Sequence, residues 1–277
     1  MQEKHLPNQY GIPQLGFGTF GRNGEVGVAA ILTALETGYR HIDTAQTYDT
    51  EAECGTAFRR SGLARQEVFF TTKISTDNLD PGRLVPSLRR SLDALQLDRA
   101  DLVLIHWPAP NERLPVEVYV EQLADAQALG LTRLVGVSNF TIAHLTKAKA
   151  ALGTLPIANN QFEMNPYLQN GALVSYCTGN DISVTCYLPI ARGRLAGDPV
   201  LQPIARRHDA SVEQIALAWE MQRGLIAIPT SGRPERIRSN FRATQIRLAP
   251  AEMQAIDGIA RHERQVDPPW GPAWDEP

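Results

Sequence analysis

The chain has 277 residues, enough for one large core, and α/β barrels of about 250 residues commonly form a single domain, so length forces no division. Hydrophobic residues make up 43% and mean hydropathy is −0.24, and no apolar run approaches the roughly 20 residues of a bilayer span, which excludes a helical membrane protein. The 27 Lys and Arg against 30 Asp and Glu leave a net charge of −3 with the signs interspersed, which argues against nucleic acid or an anionic membrane surface as partner.

The start, Met1-Gln2-Glu3-Lys4-His5, lacks the features of a secretory signal. The three cysteines, Cys54, Cys177 and Cys186, are an odd count without metal-ligand or C-x-x-C spacing and fit a reducing, cytoplasmic compartment. Leu15-Gly16-Phe17-Gly18 reads as a first strand. Val26 to Thr37 then has helical spacing and stops at Gly38, a natural C-terminal cap. Arg40–Asp43, Val68–Thr72 and Leu102–Ile105 are short apolar runs of the kind that strands buried on both faces show. Between and after them, helices are expected at Leu84–Leu95, at Val116–Leu129 before Gly130, and from a Thr141 cap to about Ala151. Further strands are expected at Leu134–Val137, Ala158–Gln161, Val184–Tyr187 and Ile226–Pro229.

Eight strand signals alternating with helices, and no Pro- or Ser-rich linker, predict a closed (β/α)₈ TIM barrel in one domain over 1–277. Functional groups should then gather at the C-terminal ends of the strands. Asp43, Lys73 and His106 each follow one of the runs, and Tyr48 lies five residues past Asp43. An Asp–Lys pair at strand ends is also a common structural device, and a Tyr or His in such a place can simply be packed.

Gly16-Phe17-Gly18-Thr19-Phe20-Gly21 matches the G-x-G-x-x-G dinucleotide fingerprint, but the residues before it, Asn8 to Leu15, are polar and contain Pro13 where a central Rossmann strand needs an apolar run. Gly136-Val137-Ser138-Asn139-Phe140 starts like a nucleophile elbow and lacks its last glycine, and no metal-ligand pattern is present.

The segment Gly38 to Tyr48 with Glu51 and Gly55, Thr72-Lys73, and Leu104-Ile105-His106-Trp107-Pro108 together resemble the signatures of the aldo-keto reductase family. Val135 to Phe140, Asn160-Gln161 with Glu163, Asn165-Pro166-Tyr167, and Ile228-Pro229 with Ser231, Arg236 and Asn240 extend the resemblance over almost the whole chain. Ala45 to Asp49, His106 to Asn111 and Asn165 to Asn170 are further similar to the bacterial 2,5-diketo-D-gluconate reductases of B type within that family.

The resemblance implies reduction of an aldehyde or ketone by hydride transfer, with Tyr48 as proton donor, Lys73 as modulator of its acidity, Asp43 as the carboxylate that keeps Lys73 charged, and His106 as a hydrogen-bond donor to the carbonyl. A nearby ammonium is expected to lower the Tyr48 pKa toward the working pH. It also implies that Ser138, Asn139 and Gln161 bind a nicotinamide carboxamide, and that Tyr187 stacks on the ring. Ser231, Arg233, Arg236 and Asn240, on a loop entering a helix near Pro234, would hold a cofactor phosphate, so NADPH is expected in preference to NADH. The chain departs from the family at Thr230, where lysine is frequent, and at Ser239, where glutamate is.

Phe20, Trp107, Trp270 and Ile74 are expected to form an apolar rim, with Phe20 and Ser75 standing where relatives carry tryptophan. This makes a small, more polar pocket for keto-sugar acids or α-ketoaldehydes such as methylglyoxal. Residues 262–277, with Trp270 and Trp274, are expected to form a C-terminal tail near the barrel mouth. Two other readings are a nucleotide-binding sensory barrel with little turnover and a Schiff-base aldolase using Lys73, the latter opposed by Asp43. A monomer is expected.

Overall fold

A computed structural model of the chain describes residues 9–259 and 261–276; the first residues of the chain, Met1 to Asn8, together with Ala260 and Pro277, lie outside the described residues. Strands and helices alternate as β1 (Phe17–Gly18), α1 (Gly24–Thr37), β2 (His41–Asp43), α2 (Glu51–Ser61), β3 (Phe69–Ile74), α3 (Leu84–Leu95), β4 (Ala100–Ile105) and α4 (Val116–Ala128). They continue as β5 (Thr132–Ser138), α5 (Ile142–Leu152), β6 (Asn159–Glu163), α6 (Gly171–Gly179), β7 (Ser183–Tyr187), α7 (Leu201–Arg207), α8 (Val212–Gln222), β8 (Ile226–Ala227), α9 (Pro234–Arg242) and α10 (Pro250–Asp257).

All eight strands are parallel and lie side by side in chain order. The sheet closes because β8 bonds back to the segment leading into β1: Gly16 N donates to Ala227 O at 2.9 Å, Ala227 N to Gln14 O at 2.8 Å and Gly18 N to Pro229 O at 3.0 Å. This is the expected (β/α)₈ barrel.

Period-two alternation sorts the strand side chains into two layers. In β4, Leu102 and Leu104 join Ile12, Phe69, Ile226 and Ile228 inside the barrel, while Val103 and Ile105 join the larger core under the helices. Likewise Ile42 faces the helices, so His41 and Asp43 face inward, and Ile74 faces the helices, so Lys73 faces inward. The last inward residue of each strand thus ends up at one rim. Helix α1 ends where Gly38 takes φ 121, its N–H bonding to Ala34 O and Leu35 O, which turns the chain directly into β2.

After α10 the chain crosses the C-terminal end of the barrel. Glu263 N bonds to Tyr167 O at 2.9 Å, and the amides of Gln265 and Val266 both donate to the carboxylate of Glu163, the last residue of β6. Further on, Asn111 N donates to Trp270 O at 3.2 Å, and Ile142 N, at the start of α5, donates to Asp275 Oδ2 at 2.9 Å. No helix among the described residues is long and apolar enough to cross a membrane.

Candidate active site

At the C-terminal rim a cavity of about 320 Å³ is lined by Gly18, Phe20, Asp43, Tyr48, His106 and Trp107 and by Asn139, Tyr187, Arg192, Thr230 and Val266, among others. A side chain at Gly18 would stand 3.0 Å from Ile228 O, so glycine lets the end of β1 approach the backbone after β8 closely there. A larger cleft of about 840 Å³ opens among Arg40, Arg65, Arg99 and Arg133, but it contains none of the candidate residues.

The four candidate catalytic side chains meet. Lys73 Nζ lies 2.5 Å from Asp43 Oδ1, 2.9 Å from Thr44 O and 3.4 Å from the Tyr48 hydroxyl, and both Lys73 and Asp43 are buried. Tyr48 reaches this point because the turn Gln46–Tyr48 follows β2 and folds its ring back over the ammonium, 4.7 Å from Nζ. Gln161 Nε2 occupies the other Asp43 oxygen at 2.7 Å. His106, just past β4, has its Nδ1 3.2 Å from Thr47 Oγ1 and its ring centroid 5.4 Å from that of Tyr48.

Electrostatics follow from this packing. Burial works most strongly against the charge of Lys73, but Asp43 and Tyr48 together outweigh it and the ammonium pKa is raised, so the lysine stays cationic. Burial and the Lys73 charge push His106 down to about 3, leaving a neutral imidazole. The Tyr48 phenol departs from the sequence expectation: burial raises its pKa by more than Lys73 lowers it, so the net shift is upward and the hydroxyl keeps its proton.

Among the candidate cofactor residues, Asn139 and Tyr187 line the cavity, joined by a Tyr187 Oη to Asn139 Oδ1 bond of 2.8 Å. Ser138 and Gln161 are buried behind them, with Ser138 Oγ donating to Gln161 O at 2.7 Å. The loop before α9 presents Arg233 to solvent and the first turn of α9 presents Arg236, Ser231 Oγ accepts from Arg233 N at 3.1 Å, and Asn240 is buried in the helix. Thr230 Oγ1 is buried without a hydrogen-bond partner beside the cavity.

Phe20, 63% exposed, stands edge-on to Tyr48 at 5.2 Å and forms part of the rim. Trp107 lines the cavity and carries Trp270 and Trp274 against it at 5.2 and 5.9 Å, so Trp270 supports the wall from behind. One expectation for the pocket is corrected. Ile74 is fully buried on the outer face of β3, because Lys73 before it points inward. Ser75 is buried in its own turn, where its Oγ accepts from Asp77 N, and does not line the cavity.

Thr47, Leu188, Arg192 and Val266 belong to the lining without having been singled out from sequence. Arg192 follows the apolar run of β7 closely, and that position was the available signal; Val266, from the tail, carried none.

The chain belongs to the aldo/keto reductase family: the family model matches residues 14–261. The chain is 43% identical over 265 residues to methylglyoxal reductase DkgB of Escherichia coli O157:H7, covering 95% of this chain and 99% of that protein. Among solved structures it resembles one provisionally named 2,5-diketo-D-gluconic acid reductase B, with a TM-score of 0.94, 34% identity and full coverage of both chains (100% and 100%). It also resembles an aldo-keto reductase of Bombyx mori in complex with NADP, with a TM-score of 0.87 and 32% identity over 95% of this chain and 94% of that one.

Proposed function

We propose that this protein reduces small aldehydes and ketones with NADPH, taking keto-sugar acids or α-ketoaldehydes such as methylglyoxal to alcohols. The observation that carries this reading is the Tyr48 hydroxyl, open to the cavity and 3.4 Å from a buried Lys73 ammonium that Asp43 holds charged. The Escherichia coli relative and the NADP-bound Bombyx mori structure support the reaction and the cofactor.

The residues present fit a nicotinamide dinucleotide. Tyr187 offers a flat ring and Asn139 an amide in the cavity, the unpartnered Thr230 hydroxyl lies beside it, and Ser231, Arg233 and Arg236 gather at the exposed start of α9. Ser138 and Gln161 act in this reading by fixing Asn139 and Asp43 from behind. The bound cofactor supplies a hydride to the carbonyl carbon. Negative charge then grows on the carbonyl oxygen, where Tyr48 delivers its proton. Lys73 stabilises the tyrosinate left behind, and Asp43 stabilises Lys73.

His106 is neutral, so it can donate one hydrogen bond. In this reading the imidazole proton sits on Nε2, where it orients the carbonyl, and Nδ1 is left to accept from the Thr47 hydroxyl 3.2 Å away. The cavity lies at the small end of the usual range for ligand sites, roughly 300–1,000 Å³, which suits compact substrates. Trp107, Phe20 and, from the tail, Val266 form its wall, with Trp270 packed against Trp107 outside the lining.

The three cysteines are free and buried, and we place the enzyme in the cytoplasm as a monomer. No observation favours the sensory reading. The test is loss of reduced-nicotinamide absorbance with NADPH and NADH in parallel, against methylglyoxal, 2,5-diketo-D-gluconate and a nitrobenzaldehyde. Tight nucleotide binding without turnover of any of them would reject the enzyme assignment.

A further inference from the structure

The turn that carries Tyr48 is held less by packing than by one amide. None of Gln46, Thr47 and Tyr48 is fully buried, and the turn ends at Asp49, whose φ of 54 lies in the left-handed region. Gln46, its first residue, uses every hydrogen-bonding position of its side chain. Oε1 accepts from Ser75 N at 2.8 Å and from Asn78 Nδ2 at 2.9 Å, while Nε2 donates to Ser87 Oγ and Ser91 Oγ, both at 3.1 Å. A backbone N–H can only donate, so the Ser75 contact fixes which end of the amide is the oxygen.

These partners belong to two other parts of the barrel. Ser75 and Asn78 lie in the turn after β3, the strand of Lys73, and Ser87 and Ser91 stand one helical turn apart on α3. Helix α3 buries Leu84, Leu88, Leu92 and Leu95, as a helix over a strand should, yet it buries both serines as well. Their hydroxyl protons go to the helix itself, Ser87 Oγ to Leu84 O at 2.8 Å and Ser91 Oγ to Ser87 O at 3.4 Å, so their oxygens are left to accept from Gln46. At the far end of the turn, Asn23 Nδ2 donates to Tyr48 O at 3.2 Å and to Asp49 O at 3.0 Å. Between these two amides, the Tyr48 hydroxyl stands 3.4 Å from Lys73 Nζ and Thr47 Oγ1 stands 3.2 Å from His106 Nδ1.

We infer that Gln46 is a positioning residue for carbonyl reduction: its amide, seated between the β3 turn and the serine pair of α3, holds the proton donor against Lys73 and, through Thr47, holds His106. Gln46 does not line the cavity, so it acts only through the residues that follow it. The inference rests on Tyr48 being the proton donor of that reaction.

The test is single-turnover oxidation of enzyme-bound NADPH by saturating methylglyoxal, in H₂O and in D₂O. Wild type is compared with Gln46→Met, which keeps the length and removes the amide, with the double variant Ser87→Ala/Ser91→Ala, which leaves the turn's own residues unchanged, and with Tyr48→Phe. The rate constant should fall by about 10- to 100-fold in Gln46→Met, since a displacement of about 1 Å can cost that much. The ratio of the H₂O rate to the D₂O rate should rise, because a loosely held donor makes proton delivery the slower part, and NADPH affinity should stay at the wild-type value. A wild-type rate constant in Gln46→Met overturns the inference. So does a smaller amplitude at an unchanged rate constant, which reports lost fold alone, and so does a slower rate with an unchanged isotope ratio, since the donor is then still in place. If Gln46→Met does not fold, the serine variant decides: a slower rate with a raised isotope ratio supports the inference, and wild-type behaviour overturns it. If Tyr48→Phe keeps the wild-type rate, the donor assignment and this inference fall together, whereas a slow Tyr48→Phe beside a fast Gln46→Met rejects Gln46 alone.

Discussion

Gln161 donates through Nε2 to Asp43 Oδ2 at 2.7 Å, which leaves Asp43 Oδ1 to Lys73 at 2.5 Å. Both carboxylate oxygens are therefore committed inside the barrel, and the ammonium faces Tyr48 with its charge compensated on one side only. Asp43→Asn breaks a buried pair from one end, which typically costs about 3–5 kcal/mol of stability, and it should also lower kcat by releasing the Lys73 proton. Urea unfolding and steady-state kinetics on the same preparation check this. A wild-type unfolding midpoint in Asp43→Asn would mean that the pair carries no stability.

Tyr48→Phe keeps the ring between Phe20 and His106 and removes only the hydroxyl. Turnover should drop by about 10²–10⁴-fold, the usual worth of a positioned general acid, with NADPH affinity nearly unchanged. Retained wild-type kcat would assign the proton donation elsewhere.

The neutral His106 makes stability depend on pH. Its folded pKa is about 3 against an ordinary value of 6.5, so between those values the unfolded chain binds a proton that the folded one refuses. Stability should therefore be full above about 6.5 and decline as pH falls toward about 3. In His106→Gln this contribution is absent, and the slope of unfolding free energy against pH in that window should flatten. Equal slopes in the two proteins would refute a buried neutral imidazole.

Glu163 holds the tail by accepting from Gln265 N and Val266 N. Glu163→Gln turns one acceptor into a donor facing a donor, and an unsatisfied buried amide costs about 1–3 kcal/mol. Backbone hydrogen exchange over residues 263–275 should accelerate while the strands keep their protection, and the substrate KM should rise. Protection unchanged along the tail would show that the tryptophan contacts alone fix it.

Arg236 lies on an exposed turn of α9 near Ser231, where a 2′-phosphate would meet a guanidinium fork. Arg236→Ala should raise the NADPH Kd at least about tenfold more than the NADH Kd, in line with a charge-assisted hydrogen bond. Equal losses for both nucleotides, measured by fluorescence titration, would remove Arg236 from phosphate recognition.

β4 was legible because a strand covered on both faces reads as an apolar run, and Lys73 and His106 stood out as polar residues ending such stretches, whereas β2 (His41-Ile42-Asp43) and β6 (Asn159 to Glu163) are largely polar. Helix α8 escaped notice for another reason: it is buried nearly all round, from Val212 to Met221, with Gln214 and Glu220 buried among its apolar residues, so polarity there does not mark an exposed face. Within the site, alternation was the decisive rule. Once Lys73 points inward, Ile74 cannot, and applying period two through the end of β3 would have kept Ile74 out of the pocket. The net direction of the Tyr48 shift was beyond reach, since it depends on how deeply neighbours from several loops bury the ring. Arg192 owes its place to a left-handed backbone that no residue type there announces, and the wall supplied by Val266 comes from a segment far away in the chain.

The tail that Glu163 and Asp275 tie down follows all eight strands in the sequence, so it leaves the ribosome after them. A nascent chain can therefore pair Asp43 with Lys73 before Val266 completes the cavity wall. Ribosome-stalled chains released before Gln265 should bind nucleotide yet discriminate poorly among carbonyls, a difference that competition between two aldehydes would reveal.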